Sequence, residues 1–284
     1  MISQKLYKFA NLIYGIVGSG KKLESTDTVL ILGGSNGLGK DICTQLCQNE
    51  IKVINVDTQD TSIPLMGKCY TFIPCKSFAE THSVQEAMQA VKSLVQPITI
   101  LINNVQRDFK SVYQMEEPLS PLDESIDQFK ECVAANLTNV MIATKFFLEQ
   151  LVPQSVCLTG NKSQDYYLVN LSSILTLNVP EQASHYVSSK AALNQFHDSL
   201  TSELKSSRHK KVHYKTLLVF LPFSKDYLIW NQSTSCLSQQ LIDCLHDGRK
   251  GDVLLRIDDS PLTAFKVSAS GSCRFSNMVS KWKQ

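Results

Sequence analysis

The sequence predicts an α/β fold: a doubly wound, mostly parallel sheet of about seven strands in a single domain. Three observations predict it. Apolar runs of strand length alternate with helical patterns seven times, joined mostly by short links. The first run, "TVLILGG" (28–34), is continuously apolar and ends in glycines, the pattern of a strand buried on both faces of a parallel sheet. No internal repeat, low-complexity segment or domain-scale linker divides the 284 residues, and a 43% hydrophobic share is enough for a sizeable core.

After the first strand, Ile42 and Leu46 have helical spacing. "IKVINVD" (51–57) and "YTFIPC" (70–75) read as the second and third strands, and "SVQEAMQAVKSL" (83–94) as a helix. "ITILINN" (98–104) is strand four, followed by a long helix over 126–151. "YYLVNLSS" (166–173) is strand five, 183–204 a helix, and "HYKTLLVFL" (213–221) strand six. A helix near 237–247 and a strand at "DVLLRI" (252–257) close the series. Two loops are expected to be long, Val105–Ser125 and Pro153–Asp165, and long loops in such folds often cover a site.

Residues 1–24 read as an N-terminal extension, 25–265 as the domain and 266–284 as a tail, with the serine-rich 232–238 and the tail expected to be mobile. In the extension, "FANLIYGIV" (Phe9–Val17) follows Lys5 and Lys8. Nine residues are too few to span a bilayer, which needs about twenty. A helix lying on a membrane surface or on the protein itself is expected instead. Charges nearly balance, 28 basic against 26 acidic, so no nucleic-acid surface is indicated. The nine cysteines are odd in number, scattered and without a C-x-x-C, which predicts buried thiols in a reducing, cytoplasmic setting and no metal site. The apolar extension leaves open a place on the cytosolic face of a membrane or lipid droplet.

"VLILGGSNGLGKD" (29–41) fits three chemistries. Gly33-x-Ser35-x-Gly37 matches a nucleophile elbow, but that elbow lies deep in its sheet, after the strand and loop that supply its oxyanion hole. Gly34 to Lys40 matches a phosphate loop, but Asp41 stands where a magnesium-binding hydroxyl belongs and would repel phosphate. Gly33, Gly37 and Gly39 match a dinucleotide-binding turn, which needs a carboxylate at the tip of the next strand for the ribose hydroxyls. Asp57 is there. Its charge opposes a 2′-phosphate and no Lys or Arg lies within the turn, so NAD(H) is favoured and NADP(H) is left open.

Tyr186 and Lys190 lie one helical turn apart, with Ser172-Ser173 ending strand five at the ligand-binding edge of the sheet. Asn136 falls inside the long helix, where Asn is a poor helix former. In order and spacing, "LGGSNGLG", "LINN", Asn136, "VNLSS" and "YVSSK" resemble the short-chain dehydrogenase/reductases, over about residues 27–225. The resemblance implies a Rossmann fold and hydride transfer between an alcohol and a ketone or aldehyde on a small molecule, and the apolar Phe9–Val17 adds the expectation of a lipophilic substrate such as a steroid, retinoid or long-chain alcohol. It implies a tetrad of Asn136, Ser173, Tyr186 and Lys190. Gly33, Ser35, Asn36, Gly37, Leu38, Gly39, Asp57 and Asn104 would hold the cofactor, with Tyr186 and Lys190 beside its nicotinamide ribose. Asn136 would hold a water that links Lys190 to solvent. Members of the family commonly form dimers or tetramers through the helices after strands four and five.

The chemistry is physically reasonable. A phenol titrates near 10, so a base at neutral pH needs roughly 4 kcal/mol of anion stabilisation. An ammonium about 4–5 Å away supplies on the order of 3–4 kcal/mol at an effective dielectric near 20. Four positions depart from the family pattern. Asn103-Asn104-Val105-Gln106 replaces N-N-A-G, which puts a long side chain beside the cofactor groove. Lys76 stands where an Asp or Asn meets adenine, Phe223 replaces a Gly, and Tyr227 lies near a Thr position. These losses would weaken cofactor binding roughly ten- to a hundredfold. They define the rival reading, a cofactor-binding scaffold or sensor with little turnover.

Overall fold

The structure, a computed structural model, describes residues 16–17, 22–60, 67–107, 125–160, 164–177, 183–206, 212–222 and 227–257. The seven expected strands are present and parallel: β2 (Thr28–Leu32), β3 (Lys52–Asp57), β4 (Tyr70–Pro74), β5 (Ile100–Asn103), β6 (Gln164–Ser173), β7 (Val212–Leu221) and β8 (Arg249–Leu254). A further two-residue strand, β1 (Ile16–Val17), pairs antiparallel with β8 at the sheet edge. The strand order is β1-β8-β7-β6-β5-β2-β3-β4. The helix expected over 9–17 is therefore corrected at its last two residues, and Phe9–Gly15 lie outside the described residues.

The helices are α1 (Gly37–Gln48), α2 (Thr81–Ser93), the consecutive segments α3 (Ile126–Val133), α4 (Asn139–Phe146) and α5 (Val152–Leu158), then α6 (Ser184–Ser206) and α7 (Tyr227–His246). Two π segments, Ala134–Thr138 and Phe147–Leu151, join α3, α4 and α5 into one long helix. The sequence stopped this helix at 151 and made Pro153 the start of a loop. Pro153 instead sits in the first turn of α5, just past a π segment, where its missing N–H is tolerated. The serine-rich stretch 232–238 lies inside α7, which starts ten residues earlier than expected, so that stretch is helix rather than mobile loop.

The alternation of strand side chains divides the core. Val29 and Ile31 of β2 pack on the α1 and α7 face with Ile42, Leu46, Leu241 and Leu245. Leu30 and Leu32 pack on the opposite face with Met88, Val91, Phe147 and Leu193. All five residues of β2 are buried, as a parallel strand covered on both faces requires. Register then sets the site. Leu32 pairs with Val56 and with Asn103, so the carboxyl ends of β2, β3 and β5 finish within one residue of each other, while β6, whose Asn170 pairs with Asn103, runs three residues further to Ser173. Chain order reverses between β2 and β5, which opens a crevice at that edge. Among the described residues, no helix is long and apolar enough to cross a membrane.

Candidate active site

A groove of about 580 Å³ opens over the ends of β2, β3 and β5. Its walls include Gly33, Asn36, Gly37, Leu38, Asp57 and Asn104, six of the residues expected to hold a cofactor. Gly37 begins α1 at a φ of +47°, and a Cβ there would meet nothing within 4 Å. The α1 terminus carries no side-chain cap and no acidic residue in its first turn, so its free N–H groups and positive dipole end are available to an anion. Gly39 plays a different part. A Cβ on it would sit 2.1 Å from the Gly33 carbonyl oxygen and 2.6 Å from Asn104 Nδ2, so only glycine lets α1 approach the turn this closely.

The turn is held from β3. Asp57 accepts from the Ser35 backbone N–H at 2.8 Å and from the Thr58 N–H at 2.6 Å, which fixes its carboxylate at the groove wall. Asn55 accepts from the Gly34 N–H at 2.9 Å and donates to Ser35 Oγ at 2.9 Å. Sequence reasoning missed Asn55, although a lone amide inside the apolar "IKVINVD" is itself a signal. Ser35 is placed differently from its expected role. It is fully buried, is absent from the groove wall, and donates its hydroxyl to the Gln59 carbonyl.

At the other end, α6 carries Tyr186 and Lys190 one turn apart, both wholly buried. Burial pushes the Tyr186 phenol well above its usual value, only partly opposed by a hydrogen bond with Ser173. Burial also pulls Lys190 down to about 7, with the nearby Cys132 thiol acting in the opposite sense. Lys190 Nζ donates to the carbonyl oxygens of Val105 at 2.8 Å and Leu171 at 3.0 Å. Burial thus works against both members of the expected ammonium–phenolate pair. The cause is desolvation, which penalises both charged forms when no solvent reaches them.

The segment leaving β5 ties these parts together. Asn104 Nδ2 donates to the Gly33 carbonyl at 2.6 Å, and the Val105 carbonyl takes Lys190. Gln106 Oε1 accepts from the Tyr186 hydroxyl at 3.0 Å. Arg107 offers its N–H to Asn136 Oδ1 at 2.8 Å and its carbonyl to Asn136 Nδ2 at 3.0 Å. Asn136 lies in the first π segment, fully buried, and its side chain clamps this segment at two points. Gln106 lines the groove, whereas Ser173, Tyr186 and Lys190 do not. Of the other departures, Lys76 also lines the groove, Phe223 lies outside the described residues and Tyr227 opens α7.

A nucleotide-sized groove at the switch point of a parallel sheet, with a buried Ser-Tyr-Lys group at its end, defines a dinucleotide-dependent oxidoreductase fold. The family model described as short chain dehydrogenase matches residues 27–213, and the chain belongs to that family. It is similar to the oxidoreductase-like protein SRL4 of Saccharomyces cerevisiae, 37% identical over 280 residues, which cover 94% of this chain and 99% of that protein. Among solved structures it is similar to 3-ketoacyl-(acyl-carrier-protein) reductase from Brucella melitensis complexed with NADH. There the TM-score is 0.62 at 15% identity, covering 81% of this chain and 95% of that one. The NADH-dependent reductase A1-R′ complexed with NAD gives a TM-score of 0.61 at 16% identity, covering 81% and 96%.

The residues present fit the adenosine and phosphate portion of such a cofactor. The open φ-positive Gly37, the uncapped α1 terminus and the fixed Asp57 carboxylate all face the groove. Asn104 also lines the groove, and among the described residues its buried Oδ1 has no hydrogen-bond partner.

Proposed function

We propose that this protein is an NAD(H)-binding oxidoreductase that interconverts a carbonyl compound and its alcohol, with Tyr186 as the acid/base and reduction as the direction its resting state suits. The observation that carries this reading is the placement of the buried Tyr186 hydroxyl, one helical turn from Lys190, against Gln106 in the wall of the Gly37–Asp57 groove. NAD(H) is preferred to NADP(H) because the Asp57 carboxylate would face a 2′-phosphate. The NADH and NAD complexes of the two structural neighbours support the choice of cofactor class.

Gly33, Gly37, Leu38 and the α1 N-terminus would hold the diphosphate, Asp57 the adenosine ribose, and Asn104 the groove floor. A nicotinamide held there would supply or accept the hydride. Tyr186 gives its proton to the carbonyl oxygen, and Ser173 steadies that oxygen as charge develops. Lys190, with a proton affinity near neutral pH, exchanges protons at the working pH without a large energetic cost.

A second reading, a cofactor-binding protein with little turnover, is favoured by one observation: Gln106 already accepts the Tyr186 proton. The test compares wild type with Tyr186→Phe by NADH fluorescence titration and by NADH oxidation against a panel of aldehydes and ketones. The variant is expected to keep NADH affinity within about twofold and to lose roughly a hundredfold or more in turnover. NADH binding with no turnover of any carbonyl or alcohol by the wild type or by a variant lacking the Gln106 amide would establish the second reading.

A further inference from the structure

Gln106 puts an amide oxygen where the proposed reaction needs a substrate oxygen. The Tyr186 hydroxyl donates to Gln106 Oε1 at 3.0 Å, and the acceptor is a carbonyl oxygen, the same functional group that a ketone or aldehyde would present. The groove ends on Gln106 with Tyr186 behind it, fully buried. The contact is braced on both sides. Val105 is held through its carbonyl by Lys190, and Arg107 is held through its N–H and carbonyl by Asn136. The Arg107 guanidinium also pairs with Glu131 at 2.6 Å. By contrast, the amide nitrogen of Gln106 is weakly held, reaching the Leu171 carbonyl only at 3.4 Å. The backbone is clamped, and the side chain is held by one good hydrogen bond and one long one.

We propose that Gln106 is an internal competitor for the carbonyl substrate, whose amide oxygen occupies the place of the reacting oxygen on Tyr186 and must rotate away before a carbonyl compound can react. The competitor role rests on the reading of Tyr186 as proton donor. Its consequence is selective: a substrate must supply at least the hydrogen bond it displaces, and compounds without a good acceptor oxygen are kept from the phenol.

The experiment uses the full chain, wild type against Q106A and Q106E. Tyrosine labelled with ¹³C at Cζ reports the titration of Tyr186 by NMR without cofactor, the resonance being assigned with Tyr186→Phe. NADH-dependent reduction is measured in parallel over an aldehyde and ketone panel. Q106A is expected to bring the Tyr186 titration down towards that of ordinary tyrosine. It should also raise kcat/KM roughly two- to tenfold, mainly through KM, the competition exerted by one net hydrogen bond. Q106E keeps an acceptor of the same reach and, being charged, holds the phenol at least as tightly, so its kcat/KM stays at or below that of wild type. A Tyr186 titration identical in wild type and Q106A overturns the role of Gln106, whatever the turnover. A shifted titration with no carbonyl reduced by either protein leaves the contact standing but removes the oxidoreductase reading, and the competitor role falls with it.

Discussion

Replacing Lys190 by methionine should invert the stability order of the two proteins as pH changes. In the folded chain the amine titrates at about 7 because burial disfavours its charged form, and in the unfolded chain it returns to 10.5. Between those values the unfolded state holds about one proton more than the folded state, so stability rises with pH at about 1.4 kcal/mol per pH unit. The stability present above pH 10.5 is lost as pH falls and is gone below about 7, a span of about 5 kcal/mol. Methionine matches the length of the side chain and removes the proton, but leaves the Val105 and Leu171 carbonyls without their donor. That loss costs about 1–3 kcal/mol at every pH. Lys190→Met should therefore be more stable than wild type by about 2–4 kcal/mol below pH 7 and less stable by about 1–3 kcal/mol above pH 10. Urea denaturation of both proteins at four pH values between 6.5 and 10, at constant ionic strength, measures the difference, and titrations common to the two cancel. A difference that stays constant with pH would refute the claim that Lys190 is carried as a neutral amine.

Three further outcomes follow from the geometry. Gly39→Ala drives a methyl group against the Gly33 carbonyl 2.1 Å away, and thermal unfolding should show a loss of about 3 kcal/mol or more together with weakened NADH binding. Asp57→Ala removes the acceptor of the Ser35 N–H and the groove's carboxylate; fluorescence titration should give NADH affinity down roughly tenfold or more and the NADH-over-NADPH preference reduced. Asn136→Leu keeps the volume but strips both partners from the Arg107 backbone; hydrogen exchange at the Arg107 amide should quicken roughly tenfold or more, with global stability down about 1–3 kcal/mol.

What the sequence discloses about this fold is what local pattern encodes. The β2 run, the glycine turn, Asp57 eighteen residues past Gly39, and Tyr186 with Lys190 are all set by spacing within one or two elements, and each occupies its expected edge of the sheet. What was not legible depends on register between distant elements. Gln106 meets Tyr186 across 80 residues and Arg107 meets Asn136 across 29, and neither pairing has a periodic signature. The burial of Lys190 and Tyr186 is hidden from the sequence for a related reason. A charge-pair estimate takes the distance between two groups but not the solvent each has lost, and here desolvation dominates both. Two boundary errors have simpler causes. Pro153 reads as a breaker unless a π segment precedes it, and the serines of α7 read as loop because helix propensity gives way to packing against α1.

The four residues Asn104 to Arg107 explain why one departure from the family pattern has effects beyond its own side chain. They run from the glycine turn, through Lys190 and Tyr186, to the Asn136 clamp, and each makes a different hydrogen bond within a stretch too short to flex independently. A glycine in place of Gln106 would leave three of these four contacts, since they use the Asn104 side chain, the Val105 carbonyl and the Arg107 backbone. It would open Tyr186 to the groove. Gln106 thus adds a side-chain contact, the acceptor of the Tyr186 hydroxyl, to a backbone frame that already positions the site.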